Sequence, residues 1–141
     1  MKKFVVLLLF FMFFFNGCAA APFIITPIVT GIVYWKEGEA KKYYADNSQA
    51  VHRATIYALQ ELEYPIQSDV KNTDFTYTII AGEKRNLKIS IKTVKSGISE
   101  VKIRIDFMGN KPQAELLYST IDMFTNTIEY DKNGLPTKLK K

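Results

Sequence analysis

Residues Leu87–Phe107 read LKISIKTVKSGISEVKIRIDF, two runs of alternating apolar and polar residues on either side of Lys95-Ser96-Gly97. Leu87, Ile89 and Ile91 share one face of a strand expected over 87–94. Val101, Ile103, Ile105 and Phe107 share one face of a second strand over 101–107. The opposite faces carry Lys88, Ser90, Lys92, Glu100, Lys102, Arg104 and Asp106. A period of two across a short turn predicts an antiparallel pair with one side buried and the other in water.

The same pattern extends upstream. Ile66–Val70 and Phe75–Ala81 are strand-like, and the connections KNTD and GEKRN are short enough to join antiparallel neighbours. Before them, Lys36-Glu37-Gly38-Glu39 reads as a turn and Ala40–Tyr44 as a short strand. Asp46-Asn47-Ser48 then offers capping side chains for a helix, with Val51, Thr55, Ala58 and Leu62 on one stripe, widened by Ala54 and Leu59, and Tyr64-Pro65 at its end. Downstream, Pro112 opens a second helix after Gly109-Asn110. Its Ala114, Leu117, Ile121, Phe124 and Ile128 step by three and four residues. Two apolar helix stripes and one apolar sheet face imply an α+β fold: a two-layer sandwich, with an antiparallel sheet of about four to six strands and both helices on one face. This domain is expected over 36–130, followed by a basic flexible tail over 131–141.

The N-terminus belongs to targeting. Lys2 and Lys3 precede an unbroken twelve-residue apolar run, Phe4–Phe15, of signal-peptide length and too short to span a bilayer. Gly17-Cys18 follows, and Cys18 is the chain's sole cysteine. The pattern predicts a lipoprotein signal peptide over 1–17 with lipid attachment at Cys18; an uncleaved signal anchor is the competing reading. From Ala19 to Trp35 there is no charge. Pro22 and Pro27 argue against one regular helix there. The segment 18–35 is read as the lipidated cysteine with a hydrophobic tether, its last residues, from Gly31, available to a first strand. Lying on the membrane, spanning it and joining the sheet all stay open. The domain would sit outside the cytoplasm. Ala19 after the cysteine favours the periplasmic side of an outer membrane where the source has two membranes.

Charge narrows the functional classes. The formal net charge of +5 falls to +3 without Lys2 and Lys3, which is mild, and no aromatics interleave with the cations as single-stranded nucleic acid would require. His52 is the single histidine, so a zinc set lacks its partners, and a Ser-His-Asp arrangement would have to use it, yet no Gly-x-Ser-x-Gly elbow accompanies any serine. Acidic pairs such as Glu61/Glu63 and Asp69/Asp74 read as solvated. No enzyme, cofactor or metal is expected. The face bearing Lys88, Lys92, Lys102 and Arg104, aided by Lys84 and Arg85, is the candidate site. It would take an anionic envelope ligand such as a lipid headgroup, lipopolysaccharide or cell-wall polymer, while a plain solvated strand face is the alternative. Partners are expected to be the membrane, through Cys18, and an envelope protein or anionic polymer. The oligomeric state is not readable.

Over residues 17–125 the order NGC, YWKEGEAKKYYAD, ATIYALQELEY and SEVKIRIDFMGNKPQAELLYSTI resembles a domain-of-unknown-function family of small bacterial lipoproteins. Ala54, Thr55, Ala58, Leu59 and Leu62 match its helix, and Val101, Ile103, Arg104 and Gly109 its strand and turn; Ser119 takes the family's serine place with a small shift. The resemblance implies anchoring and fold, and assigns no activity. Where the family has glycine this chain has Glu63 and Asp106, and where it has aspartate, Asn110. The first helix must therefore close by another route, with Pro65 as the stop.

Overall fold

The computed structural model describes residues 30–72, 75–84 and 86–140. Cys18, residues 1–17, where a signal peptide is expected, most of 18–35, Asp74 and Arg85 lie outside the described residues. The chain runs β1 (Val33–Lys36), β2 (Glu39–Tyr44), α1 (Ser48–Glu61), β3 (Ile66–Lys71), β4 (Tyr77–Ala81), β5 (Leu87–Lys95), β6 (Ile98–Ile105), α2 (Lys111–Thr127), β7 (Ile128–Tyr130) and β8 (Pro136–Leu139). The first six strands form one sheet in the order β1-β2-β6-β5-β4-β3, antiparallel throughout. Both helices cover one face, α1 over β4, β5 and β6 and α2 over β6, and they pack on each other. The two-layer α+β sandwich expected from the sequence is the observed fold.

Alternation decides which residues enter the core. Leu87, Ile89, Ile91, Val101, Ile103 and Ile105 are all buried beneath the helices. Their cross-strand register (Leu87 opposite Ile105, Ile89 opposite Ile103, Ile91 opposite Val101) stacks them in facing pairs. From above come Val51, Ala54, Ala58 and Leu59 of α1 and Ala114, Leu117, Tyr118 and Ile121 of α2. Tyr118 is the largest fully buried side chain, and its hydroxyl donates to the carbonyls of Ala40 at 2.9 Å and Val101 at 2.8 Å. Burying a phenol without a partner costs a few kcal/mol, so this pairing to β2 and β6 makes the position tenable.

Local chemistry sets the helix ends. Asn47 accepts from the Ala50 amide at 2.8 Å and Asn110 from the Gln113 amide at 3.2 Å, each an N-cap. Asn110 thus does what aspartate would do at that place. At the end of α1 the Tyr64 amide donates to Leu59 and the Glu63 amide to Gln60, the paired bonds of a Schellman closure, with Glu63 at φ +56°. Asp106 likewise holds φ +57°. Both positions keep the left-handed backbone that glycine would have supplied.

Three expectations change. Alternation puts Phe107 on the inward face, but β6 ends at Ile105, the left-handed Asp106 turns the chain outward, and Phe107 is 89% exposed. The α2 stripe continues by spacing to Ile128, yet α2 ends at Thr127 and Ile128 opens β7. The tail expected to be loose contributes β8, paired with β7. Its turn is held by Asp131, whose carboxylate accepts from the amides of Asn133 and Leu135 at 2.8 Å each, with Gly134 at φ +73°.

Candidate functional site: the uncovered face of the sheet

Among the described residues both helices occupy one side of the sheet and no element covers the other. Register places its side chains in rows: Glu39, Arg104 and Lys88; then Lys41, Lys102 and Ser90; then Tyr43, Glu100 and Lys92. Six consecutive residues of β2 alternate inward and outward, so Lys41 and Tyr43 join the face that β5 and β6 were expected to form alone.

Glu100 is the centre of this face. Its side chain is 6% exposed, with Lys92 at 3.3 Å, Lys41 at 3.6 Å and Lys102 at 3.7 Å, and the Tyr43 hydroxyl donating at 2.8 Å. Burial by itself would raise this carboxyl, but the Tyr43 hydrogen bond and the Lys92 and Lys41 charges outweigh it and hold the group below the usual glutamate range. Tyr43 moves the opposite way, pushed up to about 12 by burial and by its bond to Glu100. The second oxygen of Glu100, Oε1, meets Lys92 and Lys102 at ion-pair distances. A single carboxylate cannot neutralise three ammonium groups, and Glu39, 3.7 Å from Lys102, offsets one more. The face therefore keeps a positive surplus fixed in place by an internal acid.

The four cations of the sequence reading divide. Lys92 and Lys102 meet at Glu100. Arg104 sits in the next row but turns away, its Nη2 donating to the Glu37 carbonyl at 2.9 Å. Lys88 is exposed beside it, with no ion pair among the described residues. Lys84 is exposed in the β4–β5 turn.

Elsewhere, His52 has a partner the sequence did not suggest. Its Nε2 lies 2.8 Å from the Asp69 carboxylate, and its ring stacks on Tyr77 at 4.2 Å. The bulge in β3 between Ile66 and Ser68 puts Asp69 opposite Ile79 and turns it toward α1. This pair fastens an edge strand to a helix. In the interior, the Lys42 ammonium pairs with Asp122 and lies 5.2 Å from the Tyr44 ring. An open cleft of about 870 Å³ is lined by Asp46, Glu129, Tyr130, Lys138, Leu139 and Lys140; burial raises the Asp46 carboxyl and pushes Tyr130 up to about 12. Among the described residues no cluster of three or more His, Cys, Asp or Glu could hold a metal, and no helix is long and apolar enough to cross a membrane.

A family model described as "Protein of unknown function (DUF3568)" matches residues 3–123, which takes in every element from β1 to β6 and most of α2. No curated protein matches the chain.

Proposed function

The chain belongs to the DUF3568 family of proteins of unknown function, and from that premise we propose that it is a membrane-anchored bacterial lipoprotein whose domain is a non-catalytic interaction module of the cell envelope. Cys18 is the attachment point in this reading, supported by the Lys2-Lys3 start, the Phe4–Phe15 run and Gly17 before the cysteine. The two chains of a diacylglycerol meet the need for more than one membrane signal, each buried methylene contributing about 0.8 kcal/mol. One observation carries the reading: an uncharged segment leads from Cys18 into edge strand β1 of a sheet whose charged face neither helix covers. Such a domain is tethered at its rim and leaves that face free to meet a partner.

Intact mass of the exported protein, with Cys18→Ala as control, tests the anchor. Acyl mass on wild type and none on the variant is expected; wild type retaining Met1 without acylation would sink the proposal. Crosslinking and pull-down of the anchored protein then reports what the free face meets. A second reading gives that face an anionic envelope ligand, favoured by three lysines held around one carboxylate. Lys92→Glu with Lys102→Glu should abolish salt-sensitive retention on anionic vesicles or cell-wall polymer. Unchanged retention would leave the face merely solvated.

A further inference from the structure

The strand registers define two ends of the sheet. Val33 opposite Lys42, Tyr44 opposite Ser99 and Lys71 opposite Tyr77 share one end with the β5–β6 turn. Lys36, Arg104, Leu87 and Ile66 lie at the other, with Phe107 and Met108 beyond them. At about 3.4 Å per residue, the nine residues of β5 put the two ends about 30 Å apart.

The end at which the chain enters has a distinctive surface. Ile32, Val70, Phe75 and Val94 are exposed there. Phe75 is held at φ +58°, a left-handed conformation that is an outlier for a bulky residue, and it is nonetheless 58% exposed. The Lys71 ammonium lies 5.1 Å from its ring centre. Lys92 and Lys95 stand exposed toward the same end of β5. Of the described acids near this rim, Asp46 is half-buried, Asp69 is engaged by His52 and Glu100 is buried among its lysines; Asp74, next to Phe75 in the chain, lies outside the described residues. Neither strain nor solvent exposure of an aromatic is favourable in water, whereas an aromatic with a cation alongside suits the boundary between acyl chains and headgroups. At the far end Phe107 and Met108 are also exposed, but the exposed acids Glu37, Glu61, Glu63, Glu83, Asp106 and Glu115 belong to that end. Its described cations are Lys36, Lys84, Lys88, Arg104 and Lys111, so charge there is close to balanced and anionic headgroups gain less.

We infer that the sheet end where the chain enters seats on an anionic lipid surface, with Ile32, Val70, Phe75 and Val94 reaching into the headgroup region and Lys71 and Lys95 meeting its phosphates. The inference rests on the anchored reading: the uncharged run from Ala19 onward brings the chain to Val33 from the bilayer side. It also sets the Phe107–Met108 turn farthest from the membrane, where a partner would approach.

The test uses the full acylated protein in vesicles of phosphatidylethanolamine and phosphatidylglycerol. Phe75→Cys, Val94→Cys and Phe107→Cys each carry an environment-sensitive fluorophore, and quenching by lipid-borne nitroxide is read at each. Strong quenching at 75 and 94 and little at 107 is expected. Lys71→Glu with Lys95→Glu should reduce quenching at 94 while flotation persists, each lysine removed weakening the seating about fivefold. Acylated, floating protein with equal quenching at all three positions, or most at 107, overturns the seating alone. Absence of acyl mass at Cys18 overturns the anchor and the seating with it.

Discussion

Glu63 shows how much of this fold turns on single dihedral angles. A non-glycine residue in the left-handed region costs roughly 1–2 kcal/mol, and the Schellman closure of α1 holds Glu63 there at φ +56°. Glu63→Gly relieves that strain but adds unfolded-chain entropy, so the net gain expected is about 0.5–1 kcal/mol. Urea unfolding followed by circular dichroism checks it, and a lower midpoint would show that the Glu63 side chain contributes something its backbone does not. Asp106 holds the same conformation with compensation, since Asn86 Nδ2 donates to its carboxylate at 3.0 Å. Buried phenols set a second residue-scale expectation. Burial first, then the Asp122 charge, raises Tyr44; burial, then Glu39 and Glu100, raises Tyr118. The folded chain thus keeps protons that an unfolded tyrosine releases near pH 10. Stability from these groups is complete below pH 10 and falls as pH rises above it, by about 1.4 kcal/mol per pH unit for each buried tyrosine. Urea midpoints between about pH 8 and 11.5 should bend downward above 10, and Tyr118→Phe should bend less; parallel curves would remove Tyr118 from the account.

Among elements, three strands are knotted at one carboxylate. Glu100 of β6 gathers Lys41 of β2, Lys92 of β5 and its own strand's Lys102. Glu100→Gln leaves three ammonium groups facing one another over a buried amide and should cost about 1–3 kcal/mol. Lys92→Ala should cost less than about 1 kcal/mol, because two partners remain. The folded Glu100 carboxyl titrates below its unfolded value of about 4.3, so its contribution is present above that pH and lost as pH falls through the folded value. Wild type and Glu100→Gln should therefore converge in stability on acidification from about pH 5 to 3, and a constant gap would contradict the pairing. These elements are unequally legible in the sequence. β5, β6 and both helices can be read because a period of two or of three to four is a property of neighbours along the chain. The place of β2 beside β6 is a pairing across some sixty residues, such as Ala40 with Ile103, with no local signal. For that reason sequence reasoning misses Lys41 and Tyr43 at the candidate face while it finds Lys92 and Lys102. Asp69 escapes it for another cause: a β-bulge moves it to the helix side, and bulges leave little trace in alternation. Ile128 misleads because its spacing continues the stripe. Three β-branched residues in the four positions 125–128, Thr125, Thr127 and Ile128, disfavour carrying the helix on past where this one ends.

At the scale of the whole molecule, the sandwich and the C-terminal hairpin are separable. The family match stops at residue 123, before β7 begins, and β7 and β8 form a two-stranded sheet of their own. The hairpin is bound at few points. Tyr130 is half-buried against the core, and the Lys140 ammonium donates to the Thr125 carbonyl. Gly134 lies so close to α1 that a Cβ there would meet the Gln49 carbonyl oxygen at 2.5 Å. All six strands of the main sheet and every fully buried core residue lie before the hairpin. A chain ended after Thr127 keeps Leu117, Tyr118, Ile121 and the Lys42–Asp122 pair, and loses chiefly the partial burial of Tyr130. That burial is worth about 1–2 kcal/mol, and the lost hydrogen bonds of Lys140 to the Thr125 and Thr127 carbonyls add about 1 kcal/mol. The truncated protein should therefore unfold in one cooperative transition, about 2–3 kcal/mol less stable, with Tm lower by about 8–20 °C for a domain of this size. Differential scanning calorimetry reads both the midpoint and the cooperativity. A broad or absent transition would mean that the hairpin is part of the folding unit and that the closed sandwich does not stand on the elements before it.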